Sequence, residues 1–226
     1  MGSNLNLSKN SFIATRVLER NVTSEDYITR ILDISMIMLA APYIILVFVI
    51  IAISAKIDSR GPVFYRHERI GRYGRKFYVY KFRTMVQNAD QILQDYLNSS
   101  PELKAQWVET QKLRQDPRMT RLGALLRKSS LDELPQLWNI ILGDMSLVGP
   151  RPIVDSEVGK YGQCFDLYIQ VRPGLTGLWQ VSGRNNTTYE RRVELDEYYV
   201  RNRSVKLYFK ILWKTIFVVL KKEGAY

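Results

Sequence analysis

Residues 34–55 carry no charged side chain. A membrane-spanning helix needs about 20 apolar residues, and this run meets that length. It starts too far into the chain to be a signal peptide, and no cleavage region follows it. Pro42 sits near its middle, where proline removes a backbone hydrogen bond and kinks a helix. Both flanks are basic: Lys9, Arg16, Arg20 and Arg30 precede the run, and Lys56, Arg60, Arg66, Arg69, Arg72, Arg75 and Lys76 follow it. Basic flanks belong on the cytoplasmic side. A helix that enters one leaflet and turns back at Pro42 satisfies both flanks, provided protein or interfacial groups satisfy the backbone freed at the kink. A simple span and a buried helix of a soluble core stay open beside it.

Composition narrows the chemistry. The 226 residues can bury one good core, with room for a small appendage. A formal net charge of +11 favours anionic partners such as phospholipid headgroups, nucleotides or nucleic acid. Hydrophobic content of 46% is ordinary, so the chain is no polytopic membrane protein. Cys164 is the only cysteine and His67 the only histidine. An internal disulfide, a thiolate metal site, the usual zinc sites and a histidine-based triad are thereby set aside. Chemistry must rest on carboxylates, lysines and arginines.

Beyond the turn cluster Asp58-Ser59-Arg60-Gly61-Pro62 the pattern changes period. Val63 to Arg69 and Lys76 to Phe82 read as strands joined through Gly71-Arg72-Tyr73-Gly74 into a hairpin. Residues 86–113 read as helical, with Val86, Ala89, Ile92, Leu93, Tyr96 and Leu97 on one face and a break at Asn98-Ser99-Ser100-Pro101. A basic amphipathic stretch follows from Met119 to Lys128, then a short helix from Pro135 to Leu142. Arg172 to Gly177 reads as a turn cluster, and Tyr189 to Arg201 as a helix. The last helix, from about Val205 to Lys222, sets Lys206, Lys210 and Lys214 among Leu207, Ile211, Leu212, Trp213, Ile216, Phe217 and Leu220. That is the layout of an interfacial helix, and equally of a helix packed on the core with its lysines in water.

The acids most able to do chemistry are Asp132 and Glu133, in Ser130-Leu131-Asp132-Glu133-Leu134-Pro135-Gln136. Proline is comfortable at the first helical position, which makes Leu134 the expected cap and sets both carboxylates at a positive helix end. An ionised aspartate there can bind Mg²⁺ or attack phosphorus. The plainer explanation is a capping box from Ser130 to Glu133. It is awkward, because Pro135 would then fall inside the helix. Lys81, Arg83, Arg127, Arg151, Arg172 and Arg184 are the matching cations. Arg151 lies between Pro150 and Pro152, and Arg172 precedes Pro173-Gly174. Stiff loops of this kind can hold a guanidinium for phosphate, although any single arginine is more often solvated surface. No Walker loop and no strand-linked glycine fingerprint is present.

Four stretches together resemble the bacterial sugar transferase family of monotopic phosphoglycosyl transferases. They are Tyr80-Lys81-Phe82-Arg83-Thr84-Met85, residues 130–136, residues 143–152 and Arg172-Pro173-Gly174-Leu175-Thr176-Gly177. The likeness covers roughly residues 27–226. Residues 179–193 and the ending Gly224-Ala225-Tyr226 look most like the undecaprenyl-phosphate galactose phosphotransferase branch. The resemblance implies transfer of a hexose-1-phosphate, galactose first and glucose as the alternative, from a UDP-sugar to polyprenyl (undecaprenyl) phosphate with release of UMP. It implies a covalent phosphosugar on Asp132, assistance from Glu133, and Mg²⁺ at that pair. It implies substrate contacts from Lys81, Arg127 and Arg151, and by weaker correspondence from Asp196. Arg172 and Arg184 join them as cations held in motif stretches. The family's first helix is re-entrant and kinked at a Ser-Pro pair; here the pair is Ala41-Pro42, without the serine hydroxyl.

The expected architecture is an α+β catalytic domain, small and compact, with a β-hairpin and several amphipathic helices, anchored by a Pro-kinked membrane helix. Residues 1–26 form an N-terminal extension, 27–57 the re-entrant helix, and 58–226 a domain on the cytoplasmic face of the bacterial inner membrane. Longer branch members carry a membrane bundle and a further soluble domain, so the chain is expected to be a short enzyme or an excised catalytic portion. The expected partners are UDP-sugar, polyprenyl phosphate and phospholipid, and not nucleic acid. The rival from another class is a non-catalytic basic adaptor tethered to the membrane. The motifs leave the sugar and the oligomeric state open.

Overall fold

A computed structural model describes residues 23–110, 113, 116–183 and 187–221. In chain order the helices and strands are α1 (Ser24–Asp58), β1 (Phe64–Ile70), β2 (Lys76–Phe82), α2 (Ala89–Asn98), α3 (Pro101–Thr110) and α4 (Arg121–Ser129). There follow α5 (Gln136–Leu142), β3 (Ser146–Val148), α6 (Val158–Tyr161), α7 (Phe165–Tyr168), β4 (Gly174–Thr176), α8 (Tyr189–Arg201) and α9 (Val205–Lys221). The expected hairpin is β1–β2, its connection tightened by a 3₁₀ turn in which Tyr73 takes φ +61°. Residues 172–177 are more than the turn cluster their composition suggests. Gly174–Thr176 pairs in parallel with β3, Ser146 opposite Gly174 and Val148 opposite Thr176. Three-residue strands bounded by glycine and proline show no period long enough to read.

The described residues form two compact units: one from residues 23–39, 67–79 and 136–218, and one from residues 40–66, 80–135 and 219–221. The first unit holds three apolar clusters. One gathers Ile70, Ile153, Tyr161, Tyr168, Ile169 and Val193; one gathers Val148, Val171, Tyr199, Val200, Tyr208 and Ile211; one gathers Ile37, Val79, Ile140 and Met145. The second unit is built on Ile51, Phe82 and Leu126, with Phe48, Val63, Leu122, Leu131 and Leu134 against them. Phe48, Phe64 and Phe82 form a ring triangle with centroids 4.9–5.8 Å apart.

Helix α1 is the longest element, and helical backbone continues through Pro42. Within the first unit its buried face is polar. Asp26, Arg30 and Asp33, followed by Ile37, recur at helical spacing. Asp26 pairs with Arg72 at 2.7 Å and Arg203 at 2.9 Å. Arg30 donates to the carbonyls of Ile140 and Ile141 near the end of α5. Asp33, 1% exposed, accepts from the Leu147 N–H at 3.0 Å and the Tyr208 hydroxyl at 2.7 Å. The outer face carries Tyr27, Ile31, Met38 and Leu39, all largely exposed. A helix of a soluble domain shows the opposite arrangement. In the second unit Phe48 and Ile51 pack inward, while Tyr43, Ile45, Leu46, Ile50, Ile53 and Ile57 face out. Only 11% of its most apolar 18-residue window is buried, so a soluble core helix does not account for the run. The helix is long and apolar enough to cross a membrane.

Helix α9 likewise has two apolar faces. Tyr208 and Ile211 are buried, and Phe209, Trp213, Ile216, Phe217 and Leu220 are exposed beside Lys206, Lys210 and Lys214.

Candidate active site

In the second unit a short run of backbone contacts ties α4 to the segment after β2. Thr120 Oγ1 caps α4 by accepting from Gly123 N at 2.9 Å, and the Thr120 N–H donates to Thr84 O at 3.1 Å. The Val86 N–H donates to Arg118 O at 2.9 Å. Gly123 lies so close that a Cβ there would sit 2.0 Å from Thr84 O. One turn on, Arg127 Nε donates to Thr84 Oγ1 at 2.9 Å. Helix α4 ends at Ser130, whose φ of +58° is left-handed and whose N–H returns to Arg127 O at 3.1 Å. A single 3₁₀ turn, Leu131–Glu133, follows. Leu131 and Leu134 pack into the Phe82–Leu126 cluster, and Asp132 and Glu133 are carried on the turn between them.

Both sequence-level accounts of this turn need correction. Ser130 is no capping-box residue: it closes α4, and among the described residues its side chain makes no cap hydrogen bond. Leu134 is no extended N-cap: it has helical angles (φ −52°, ψ −37°), and α5 begins at Gln136. Nor is the pKa of Asp132 lowered, as a helix N-terminus would lower it. The residue is 7% exposed, and burial pushes its pKa up, the charge of Glu133 adding to the effect while Lys81 and Arg127 oppose it. Desolvation outweighs the cations around it.

Lys81 brings its ammonium to the pair from β2. Nζ lies 2.5 Å from Glu133 Oε1 and 3.9 Å from Asp132 Oδ2. Glu133 therefore takes the charge-assisted bond, and Asp132 keeps a poorly solvated carboxylate near a cation that does not bond it. This is a suitable state for a nucleophile toward phosphorus. The donor set also suits Mg²⁺, which takes one or two carboxylates and fills its remaining positions with substrate oxygens and water. Among the described residues no group of three or more histidines, cysteines and acids gathers to hold a metal, at this pair or elsewhere.

Arg151, Arg172 and Asp196 belong to the first unit; Arg184 lies outside the described residues. Arg172 Nε donates to Gly143 O at 2.8 Å, and burial, with Arg72 and Arg30 near, lowers its pKa. Asp196 is 2% exposed on α8. It accepts from the Tyr161 hydroxyl at 2.7 Å and lies 4.0 Å from Arg192 Nε. Burial pushes its pKa up to about 7, and Tyr161, Arg192 and Arg151 pull the other way.

Four residues around these were not singled out by sequence. Arg192 bonds Glu157 at 3.1 Å and lies over Trp179 and Tyr189, each at 4.9 Å. Tyr189, Arg192 and Asp196 sit one helical face apart, a readable signal. Glu157, Tyr161 and Trp179 come from distant segments, and nothing local announces them. The role of Asp33 had a signal too: a lone carboxylate bordering an apolar run is costly unless paired.

The sequence model of the family described as bacterial sugar transferase matches residues 24–222. The chain is 53% identical over 169 residues to the UDP-galactose-lipid carrier transferase of Erwinia amylovora, covering 75% of this chain and 35% of that protein. It is 51% identical over 166 residues to the undecaprenyl-phosphate galactose phosphotransferase of Salmonella typhimurium strain LT2, covering 74% and 35%. The chain thus spans about a third of the length of these two curated relatives. Against the exopolysaccharide production protein ExoY of Sinorhizobium fredii it is 45% identical over 197 residues, covering 87% of each.

Proposed function

The chain belongs to the bacterial sugar transferase family, and from that premise we propose that it transfers a hexose-1-phosphate from a UDP-sugar to polyprenyl phosphate. Galactose is the first choice of sugar, supported by the names of the two relatives in which 35% of the length is matched. Glucose is the alternative. An Asp132 oxygen attacks the β-phosphorus of the donor. A new P–O bond forms, the bond from that phosphorus to the bridging oxygen breaks, and UMP leaves with the electron pair. A phosphate oxygen of the polyprenyl acceptor then attacks the same phosphorus and returns the carboxylate. One nucleophile thus serves a soluble substrate and a lipid one in turn.

The observation that carries this reading is the buried Asp132 beside Glu133, with Lys81 bonded to the second acid and not the first. Lys81 and Arg127 steady charge on phosphoryl oxygens. Mg²⁺ held by Asp132 and Glu133 would supply further neutralisation of that charge. Arg151, Arg172, Arg184 and Asp196 remain proposed substrate contacts. We place the protein at the cytoplasmic face of the bacterial inner membrane, with residues 27–57 as a re-entrant helix turning at Pro42. The polar inner face and apolar outer face of α1 support a lipid setting.

Incubation with UDP-galactose and Mg²⁺ is expected to release UMP and leave a hexose-phosphate mass adduct on the chain. Asp132→Asn is expected to abolish both without unfolding the protein. Full activity in that variant would refute the assignment of the nucleophile. A panel of UDP-sugars in the same assay decides between galactose and glucose.

A further inference from the structure

Arg151 stands on a backbone fixed from both sides. Gly149 N donates to Thr176 O at 2.9 Å and Gly174 N to Pro150 O at 2.8 Å. Beyond the arginine, Arg69 Nη1 donates to Pro152 O at 3.3 Å and Ile70 N to Ile153 O at 2.9 Å. Prolines at 150 and 152 restrict the remaining dihedrals. The freedom left is that of the long side chain. Among the described residues its guanidinium makes no direct ion pair and no hydrogen bond; Asp196 feels its charge at longer range, and its ring partner is Trp179, 6.0 Å from Cζ to centroid.

Trp179 is itself held. Its Nε1–H donates to Thr187 Oγ1 at 2.9 Å, and Arg192 lies against the same ring at 4.9 Å. Arg192 is 7% exposed, bonds Glu157 and lies near Tyr161 and Tyr189 as well. The charges of the cluster are uneven. Arg69 and Arg192 share Glu157, and Asp196 lies beside Arg192. Arg151 is the cation left over, and an indole face draws a guanidinium without neutralising it.

We propose that the ring of Trp179, held against Arg192, makes this residue a positioning residue that holds the Arg151 guanidinium ready for a phosphate group of the substrate. This rests on the function proposed above. The indole supplies orientation, and the positive charge stays available for the anion.

The test is a double-mutant cycle on kcat and KM for the UDP-sugar, using UMP release. Trp179→Leu is expected to lower kcat/KM by on the order of tenfold, the scale of one cation–π contact, mainly through KM. In an Arg151→Ala background the same change is expected to cost less than about twofold, because nothing remains to be positioned. Trp179→Phe, which keeps a ring and loses the N–H, is expected to stay within about threefold of the wild type. If the leucine variant does not fold, Trp179→Met runs the same cycle with bulk kept and the ring removed. Equal losses in both backgrounds, or a phenylalanine variant as impaired as the leucine one, overturn the positioning role alone. A wild-type chain that releases no UMP from any UDP-sugar overturns the proposed function and this role with it.

Discussion

Two aspartates are driven toward their neutral forms by burial, and what opposes burial differs between them. At Asp132 the opposition is the charge of Lys81 and Arg127. At Asp196 the first opposing contact is the Tyr161 hydroxyl, and the guanidinium of Arg192 stands 4.0 Å off, beyond hydrogen-bond reach. Among the described residues, one Asp196 oxygen and two Arg192 nitrogens are buried without a hydrogen-bond partner, so ionisation is incompletely compensated. The consequence is a pH dependence of stability. The folded pKa of Asp196, about 7, is raised above the ordinary 3.8. Its contribution to stability is therefore complete below the ordinary value and is lost as pH rises through about 7. Asp196→Asn has no such loss. Its urea midpoint, compared with wild type at pH 5 and pH 8, is expected to gain on wild type at the higher pH; a pH-independent difference would contradict the burial argument. Asp132 and Glu133 were legible because they are adjacent in sequence. The Asp196 network was legible only in part, because Tyr161 and Glu157 reach it from other segments.

At the level of elements, period and punctuation found the hairpin, α8 and α9, because each has enough residues to display a face. They missed β3 and β4, whose ladder depends on close backbone approach: a Cβ on Gly174 would sit 2.0 Å from Gly149 N. Hydropathy also found α1 but could not show how it is held. A uniformly apolar run has no preferred side, and the residues that choose one are Asp26, Arg30 and Asp33 near its start. Of these Asp33 matters most, since it is buried and serves two donors. Asp33→Leu would leave the Leu147 N–H and the Tyr208 hydroxyl without an acceptor, at about 1–3 kcal/mol for each stranded group. Tyr208→Phe removes one donor and leaves the carboxylate its bond to Leu147; it is expected to cost about 1 kcal/mol. Thermal unfolding in detergent orders the variants: wild type highest, Tyr208→Phe next, Asp33→Leu lowest. An Asp33→Leu protein as stable as wild type would mean that apolar contact alone docks the helix.

For the whole molecule the decisive quantities are charge and where the apolar surface faces. The net charge of +11 was plain from composition. The orientation of apolar faces was not, because it follows from the polar docking of α1 and from burial of Tyr208 and Ile211 on α9. Basic residues on both sides of the run 34–55 carry the topological argument. Translocating either flank would take arginines across the bilayer, against the cytoplasmic preference of such residues. In the re-entrant topology proposed above, proline at position 42 is where the helix would turn. Cysteine labelling can read the result. Cys164 is the single cysteine, and its Sγ donates to Glu197 Oε2 at 3.2 Å; Cys164→Ser keeps a donor there and clears the background. Ser8→Cys and Ser59→Cys, made separately in that background, are both expected to react only with reagent that has reached the cytoplasm. Replacing Pro42 by leucine restores the missing backbone donor to a run already long enough to span about 30 Å of hydrocarbon. In that variant a fraction of chains is expected to expose the cysteine at position 8 to external reagent, while position 59 stays inside. External reactivity at position 8 with Pro42 intact would establish a simple span in place of a re-entrant helix.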